Sequence, residues 1–310
     1  MSINFHLPNF TDTFSGSLNI SIAMMIKDNP ELFYDGVRVA SVSDSLPLKW
    51  NGGQIVAGYI EKGSLDRVTV SMVTRFNKAG IPCRHTFTNP VLNEEDLDDY
   101  HCRRVLDLTD NGFNQAEVLM PMVEERIRAL RPNMPLVSSS LKGITDYDGI
   151  CAELEKDYKY VCLDPSVSRD FELLEKLPHK EKCIITVNSS CEKNCPRRCE
   201  HYEFIGKFQR SNCNPQALEA IRSGWAKLPS WNCPLLKQTA FTRREAELHI
   251  TPQEIYGRYA DMGFENFALE GRGLNSVDLA EQYVYYMVKP EYADPVRYSL
   301  LVPMINAAKG

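Results

Sequence analysis

Short runs rich in β-branched and aliphatic residues recur along the chain, each followed by a longer segment in which charged residues interrupt an apolar stripe at helical spacing. The runs are Val37–Val42, Cys83–Thr88, Ala116–Met120, Pro135–Ser139, Tyr160–Leu163, Cys183–Val187 and Phe264–Leu269, with a weaker one at Ala246–Ile250. Between them, Leu65–Ala79, Glu94–Leu108, Val123–Leu130, Tyr147–Tyr158, Arg169–Leu177 and Pro252–Met262 read as helices. Strands alternating with helices imply parallel pairing through crossovers, and seven or eight such units predict an α/β fold, a TIM-type (βα)8 barrel. An open doubly wound sheet is the rival, and no G-x-G-x-x-G follows the first of these runs to favour it.

Residues 1–36 read as an N-terminal extension and 37–310 as a single barrel domain. The alternation is poorest near 209–247, where Arg210–Pro215 and Pro229–Pro234 read as loops around a helix at Gln216–Leu228. This stretch is predicted to be an insertion over the active face.

The apolar fraction of 43% and charged fraction of 25% over 310 residues are enough for a sizeable core. A net charge of -6 argues against a chain-wide basic surface, so no DNA partner is expected, while a local RNA-binding patch stays open. Met1–Met25 has no basic region ahead of its apolar residues, and no apolar run reaches the roughly 20 residues of a membrane span. The expectation is a cytoplasmic protein without a membrane partner.

Ten cysteines in a long chain of this kind point away from a secreted disulfide framework. Cys83, Cys102, Cys151, Cys162 and Cys183 stand singly in apolar or periodic stretches, as buried thiols do. The others are grouped. Directly after the Cys183–Val187 strand, counted here as the sixth, comes Asn188-Ser-Ser-Cys191-Glu-Lys-Asn-Cys195-Pro-Arg-Arg-Cys199-Glu-His201-Tyr202. Three thiols spaced by three residues can turn inward together, and thiolates are soft ligands for iron–sulfur clusters or zinc. Zinc sites usually pair two short Cys hairpins, and no second C-x-x-C exists here. Proline after a ligand cysteine, as at Cys195-Pro196, is a feature of some iron–sulfur sites. The Asn-Cys-Pro triplet recurs at Asn232-Cys233-Pro234, making Cys233 the favoured remote ligand, with Cys199 and Cys213 competing for the remaining place.

Strand ends in such a barrel carry the chemistry. Here they hold Ser43 and Asp44, His85 and Asn89, Ser138–Ser140, Asp164 and Ser166, Asn188, and Glu270 with Arg272. Asp164 and Glu270 are candidate acid–base groups and His201 a candidate proton carrier. Asn188, Arg198 and Arg272 are candidate substrate contacts, since arginine grips carboxylate or phosphate in bidentate fashion. Trp50-Asn51-Gly52-Gly53 predicts a turn that sets an aromatic wall over the mouth. Nothing resembles a nucleophile elbow, a phosphate loop or an H-E-x-x-H helix.

Two stretches together, N-x-x-C-x-x-x-C-P-x-R-x-x-H-[YF] and a late F-x-x-F-x-x-E-G-R, resemble the collagenase-like peptidase (family U-32) superfamily and its bacterial relatives. They match here at Asn188, Cys191, Cys195, Pro196, Arg198, His201 and Tyr202, then at Phe264, Phe267, Glu270, Gly271 and Arg272. The resemblance implies a TIM-type barrel and, as in several members, a 4Fe-4S cluster held by four cysteines. It also implies oxygen-independent hydroxylation of ubiquinone precursors or RNA as a model activity.

The leading expectation is therefore an iron–sulfur barrel enzyme with Cys191, Cys195, Cys233 and Cys199 as metal ligands. It would act on a small or RNA-derived substrate, with room for a protein partner or an electron donor. A radical S-adenosylmethionine-like lyase is a variant. A zinc-stabilised barrel with a binding or assembly role, and a metal-free hydrolase or lyase using Asp164 and Glu270, are the other readings.

Overall fold

The computed structural model describes residues 2–53, 59–224, 231–233, 239–272 and 274–307. Eight parallel strands close into one barrel in chain order: β1 (Ile3–Pro8), β2 (Val37–Asp44), β3 (Cys83–Phe87), β4 (Gln115–Val118), β5 (Leu136–Ser138), β6 (Tyr160–Cys162), β7 (Cys183–Thr186) and β8 (Asn266–Ala268). The (βα)8 expectation holds. The count shifts by one, because β1 pairs in parallel with both β2 and β8. Residues 1–36 thus contain the first βα unit, and the cysteine segment follows the seventh strand. Ala246–Ile250 is not a strand; it is a loop whose Ile250 N–H bonds to Val187 O (2.9 Å), continuing the line of β7 without a ladder.

The crossovers are α1 (Thr13–Asp28), α2 (Lys62–Lys78), α3 (Tyr100–Thr109), α4 (Pro121–Leu130), α5 (Tyr147–Leu154) and α6 (Phe171–Lys176). Their starts follow capping chemistry. Asp12, Asp99, Asp146 and Asp170 each accept a backbone N–H from the first turn of the helix they precede, and Pro121 opens α4 where its missing N–H costs nothing. After β7 the chain forms α7 (Arg198–Asn212) and α8 (Pro215–Arg222), so the loop expected at Arg210–Pro215 is shortened to Cys213 and Asn214. The end of α7 is held by Arg210, which donates to the buried Asp96 (2.6 Å). The part of the expected Gln216–Leu228 helix from 225 onward lies outside the described residues. A short helix α9 (Pro252–Glu254) runs into a π-turn at Ile255–Tyr259 before β8, and α10 (Ser276–Met287) and α11 (Ala293–Ala307) complete the outer layer. Among the described residues no helix is long and apolar enough to cross a membrane.

The core lies mainly between the strands and the helices. Phe5, Leu7, Val42, Phe87, Ile185 and Phe267 are fully buried there with residues such as Ile22, Phe76 and Tyr283. The lumen is polar instead. Asn4 donates to Asn266 Oδ1 (3.1 Å), and Arg84 donates to Gln115 Oε1 (3.0 Å) and to His6 Nδ1 (3.0 Å). Because arginine can only donate, His6 Nδ1 is the acceptor, which puts the ring proton on Nε2, facing Asn266 Oδ1 at 3.3 Å. Burial first, and then Arg84, lowers the His6 pKa well below the usual histidine range, so the ring is neutral.

Outside the barrel, Glu153 of α5 ties helix to strand. Its carboxylate accepts from Ser138 Oγ of β5 (2.6 Å) and from Lys156 (2.6 Å), and pairs with Lys142. Burial works to raise its pKa, but these hydrogen bonds outweigh it and hold the carboxyl down to about 2. The folded pKa lies below the ordinary 4.5, so the stabilisation is complete above pH 4.5 and is lost as the pH falls towards 2. From a shift of this size it is expected to be about 3 kcal/mol. Urea unfolding of Glu153→Gln between pH 2 and 7 checks this: the variant should be less stable at neutral pH and show a flatter acid limb.

Candidate active site at the barrel mouth

At the carboxyl ends of the strands is a cavity of about 140 Å³. Among the described residues six charged side chains line it: Arg84 from β3, Glu117 from β4, Arg198 at the start of α7, Arg243 from the loop before α9, and Glu270 and Arg272 beyond β8. The turn after β8 is shaped by packing. A Cβ on Gly271 would stand 2.7 Å from both Pro8 Cγ and Leu279 Cδ1, so only glycine passes there. Glu270 and Arg272, on either side of it, both face the mouth.

Of the residues singled out in the sequence, Arg198, Glu270, Arg272 and Cys191 line this cavity, as do Ser43, Ser140 and Tyr202. Asp164 lies just behind it. Both its oxygens are used by the Arg198 guanidinium (3.0 and 2.5 Å), and Oδ1 also caps the Pro165–Val167 turn. Arg198 further donates to Ser140 O (3.3 Å). Asn188 is fully buried and clasps the strand ends together, donating to Glu270 O (2.8 Å) and accepting from Glu270 N (2.7 Å). The Glu270 carboxylate accepts from Ser190 N (2.9 Å) and Ser190 Oγ (3.0 Å), fixing the cysteine loop to β8. His201 stacks face to face on Trp231, ring centroids 5.2 Å apart, away from the cavity lining. Arg197 lies over the same indole (4.5 Å) and donates to Asn232 O (3.3 Å).

These contacts carry Trp231-Asn232-Cys233 to the cysteine loop. Burial, with the Glu270 charge added and Arg198 opposing, pushes the Cys191 thiol up to about 12. Cys195 and Cys233 are near enough to push it the same way. Of the expected ligands Cys191 lines the mouth, and Cys195 and Cys233 lie within reach of its charge. Cys199 is exposed on α7. Cys213 is not part of the group: its thiol bonds to Pro47 O (3.5 Å) and it lies near Tyr59 and Asp99. The donor set fits a soft metal in kind, while among the described residues no three of Cys, His, Asp or Glu already stand at metal-holding distance.

Sequence reasoning missed Arg84, His6, Glu117 and Arg243. His6 was hidden in the supposed extension. In β3 it was His85 that was assigned to the mouth; the structure turns His85 outward, edge-on to Phe10 (5.3 Å), where burial lowers its pKa to about 4, and turns Arg84 inward. By strand alternation Arg84 shares its inward face with Thr86 and with Thr88, which also lines the mouth. The expected aromatic wall is absent: Trp50 is fully buried and donates to Asp96 O (2.7 Å), and Gly53 lines the cavity in its place.

No protein-family model matches the chain, and no curated protein matches it. Among solved structures it is similar to the U32 peptidase Mk0906, with 12% identity and a TM-score of 0.51 over 87% of this chain and 93% of that one. That likeness is one of fold, a U32-like barrel.

Proposed function

We propose that this U32-like barrel is an iron–sulfur enzyme, related in chemistry to the oxygen-independent hydroxylases that its two sequence stretches resemble. Its metal ligands are Cys191, Cys195 and Cys233, with Cys199 the remaining candidate, and its substrate is a small or RNA-derived molecule held in the mouth. The observation that supports this is Cys191 in the lining of a charged, strand-end cavity, with Cys195 of its own loop and Cys233 of a second loop near enough to act on its thiol. A cluster there supplies one-electron chemistry. The chain's own part is positional: Glu270 and Asn188 pin the cysteine loop, Asp164 sets Arg198, and Arg198 and Arg272 offer donors to the substrate. A protein partner or electron donor completes the reading.

Iron and acid-labile sulfide content, with a visible spectrum on protein purified without oxygen, tests it. About four irons per chain and a broad band near roughly 400 nm are expected, both lost in Cys191→Ser/Cys195→Ser with the far-ultraviolet dichroism unchanged. Zinc, or no metal at all, would sink the reading and leave a structural site or a metal-free barrel.

A further inference from the structure

The four arginines of the mouth fall into two kinds. Arg198 is paired with Asp164, and Arg243 stands 3.9 Å from Glu270. Arg84 and Arg272 have no carboxylate within ion-pair distance among the described residues, although Arg84 is only 2% exposed. Arg84 spends two of its donors on His6 and Gln115, both uncharged, and Arg272 bonds to Ser45 Oγ. A buried guanidinium without an anion is costly unless something supplies one. The Nε of Arg243, also buried in this lining, has no hydrogen-bond partner among the described residues either. Glu117 is the converse: it lines the same cavity, accepts from Ser139 Oγ (2.8 Å), and has no lysine or arginine within ion-pair distance among the described residues.

These unpaired charges occupy two levels. Arg84 is in register with Gln115 and Ser43. Glu117 is one inward step higher, opposite Thr86, and Ser45, the partner of Arg272, bonds to Thr86 Oγ1 (2.7 Å) at that same level. Two residues of strand are about 6.6 Å. Arg84 and Glu117 also act in opposite senses on the one thiol of Cys162, so both face a common space.

We propose that the mouth recognises an α-amino acid, its carboxylate held by Arg84 on the floor and its ammonium by Glu117 one level above, with Arg272 left for an anionic group on the remainder of the ligand. This inference rests on the mouth being the substrate site, and it names the class of molecule bound there. A cavity of this size suits a free small molecule better than a polymer.

The experiment is a thermal-shift and calorimetric screen of the protein as purified against the twenty standard L-amino acids, each hit compared with its N-acetyl and de-amino counterparts. Iron is measured on the same sample. At least one amino acid is expected to bind, with its N-acetyl and de-amino counterparts about 10-fold or more weaker. In Glu117→Gln that preference should vanish, and Arg272→Gln should weaken acidic hits selectively; neither variant removes a buried ion pair. Failure of all twenty to bind, counterparts that bind equally well, or a preference surviving in Glu117→Gln would overturn the inference. Those results with iron present leave the cluster standing, whereas amino-acid binding without iron removes the cluster alone.

Discussion

Asp164→Asn is expected to cost the folded chain about 3–5 kcal/mol, the usual penalty for removing one member of a buried pair and stranding the other. The side chains of Asp164 and Arg198 are 4% and 12% exposed, and the guanidinium spans both carboxylate oxygens. Burial alone would lower the Arg198 pKa, and the hydrogen bonds to Asp164 outweigh it and raise it; with the partner removed the guanidinium still keeps its proton, because arginine is not deprotonated in proteins. Asparagine could satisfy at most one of those donors and none of the charge. The double variant Asp164→Asn/Arg198→Met should recover part of the loss, because it removes the stranded charge as well. Denaturant unfolding of both singles and the double gives the coupling directly. Arg198 also begins α7 three residues beyond Cys195, so the single variants should bind iron less tightly if the cluster reading is right. A loss below about 1 kcal/mol in either single would mean that the pair is not an anchor of the mouth.

Gly52→Ala should be comparably severe. A Cβ there would lie 2.3 Å from Thr88 O, 2.6 Å from Thr88 C and 2.8 Å from Asn89 Cα, all backbone atoms that cannot rotate away. Relief would require parting the loop after β2 from the end of β3. That contact is sealed by Asn89 N donating to Trp50 O (2.9 Å) and Asn89 Nδ2 donating to Lys49 O (2.9 Å). The expected cost is about 3 kcal/mol or more, at the upper end of overpacking effects. Gly63→Ala is the control. Gly63 lies in α2 with nothing within 4 Å of its virtual Cβ, and alanine there should stabilise by about 0.4–1 kcal/mol. Parallel melting curves of the two variants check both signs.

The barrel was legible because its strands bury branched aliphatics against the helices, and the outward positions carry that signal whatever the lumen contains. β1 escaped notice although its outward Ile3, Phe5 and Leu7 are buried in the same way. Its inward positions are Asn4 and His6, polar groups that both bond to Asn266, with His6 also accepting from Arg84 across the lumen, so the segment lacks the run of apolar residues that marked the other strands. The converse error at Ala246–Ile250 arose from Leu248 and Ile250, buried like strand residues but from a loop. Within the site, the cysteine spacing and the repeated Asn-Cys-Pro triplet pointed to Cys233 as a partner of Cys191, and the Cys233 thiol is near enough to act on that of Cys191. The charged floor was not legible in the same way. Whether Arg84 or His85 faces inward depends on the phase of a single strand, and both choices give a plausible pattern of buried and polar residues. The bonds that occupy Asn188 and the carboxylate of Glu270 are also invisible in one dimension, since each partner comes from a different strand end.

The bond from Asn4 to Asn266 spans 262 positions of the sequence. It lies on the seam between β1 and β8, where the barrel closes. A chain emerging from the ribosome makes β1 first and β8 last among the strands, so one flank of β1 has to wait through almost the whole of synthesis for its partner. Until then it is an open edge, and the amide and carbonyl groups along it are free to pair with another chain. Closure is also a contact of very high order, the kind that slows folding because the entropy of a long loop is lost before the contact forms. The polar lumen bears on this interval. An edge whose inner face shows asparagine and histidine is less adhesive than one showing valine and isoleucine, so the network that prepares the floor of the mouth also makes the wait safer.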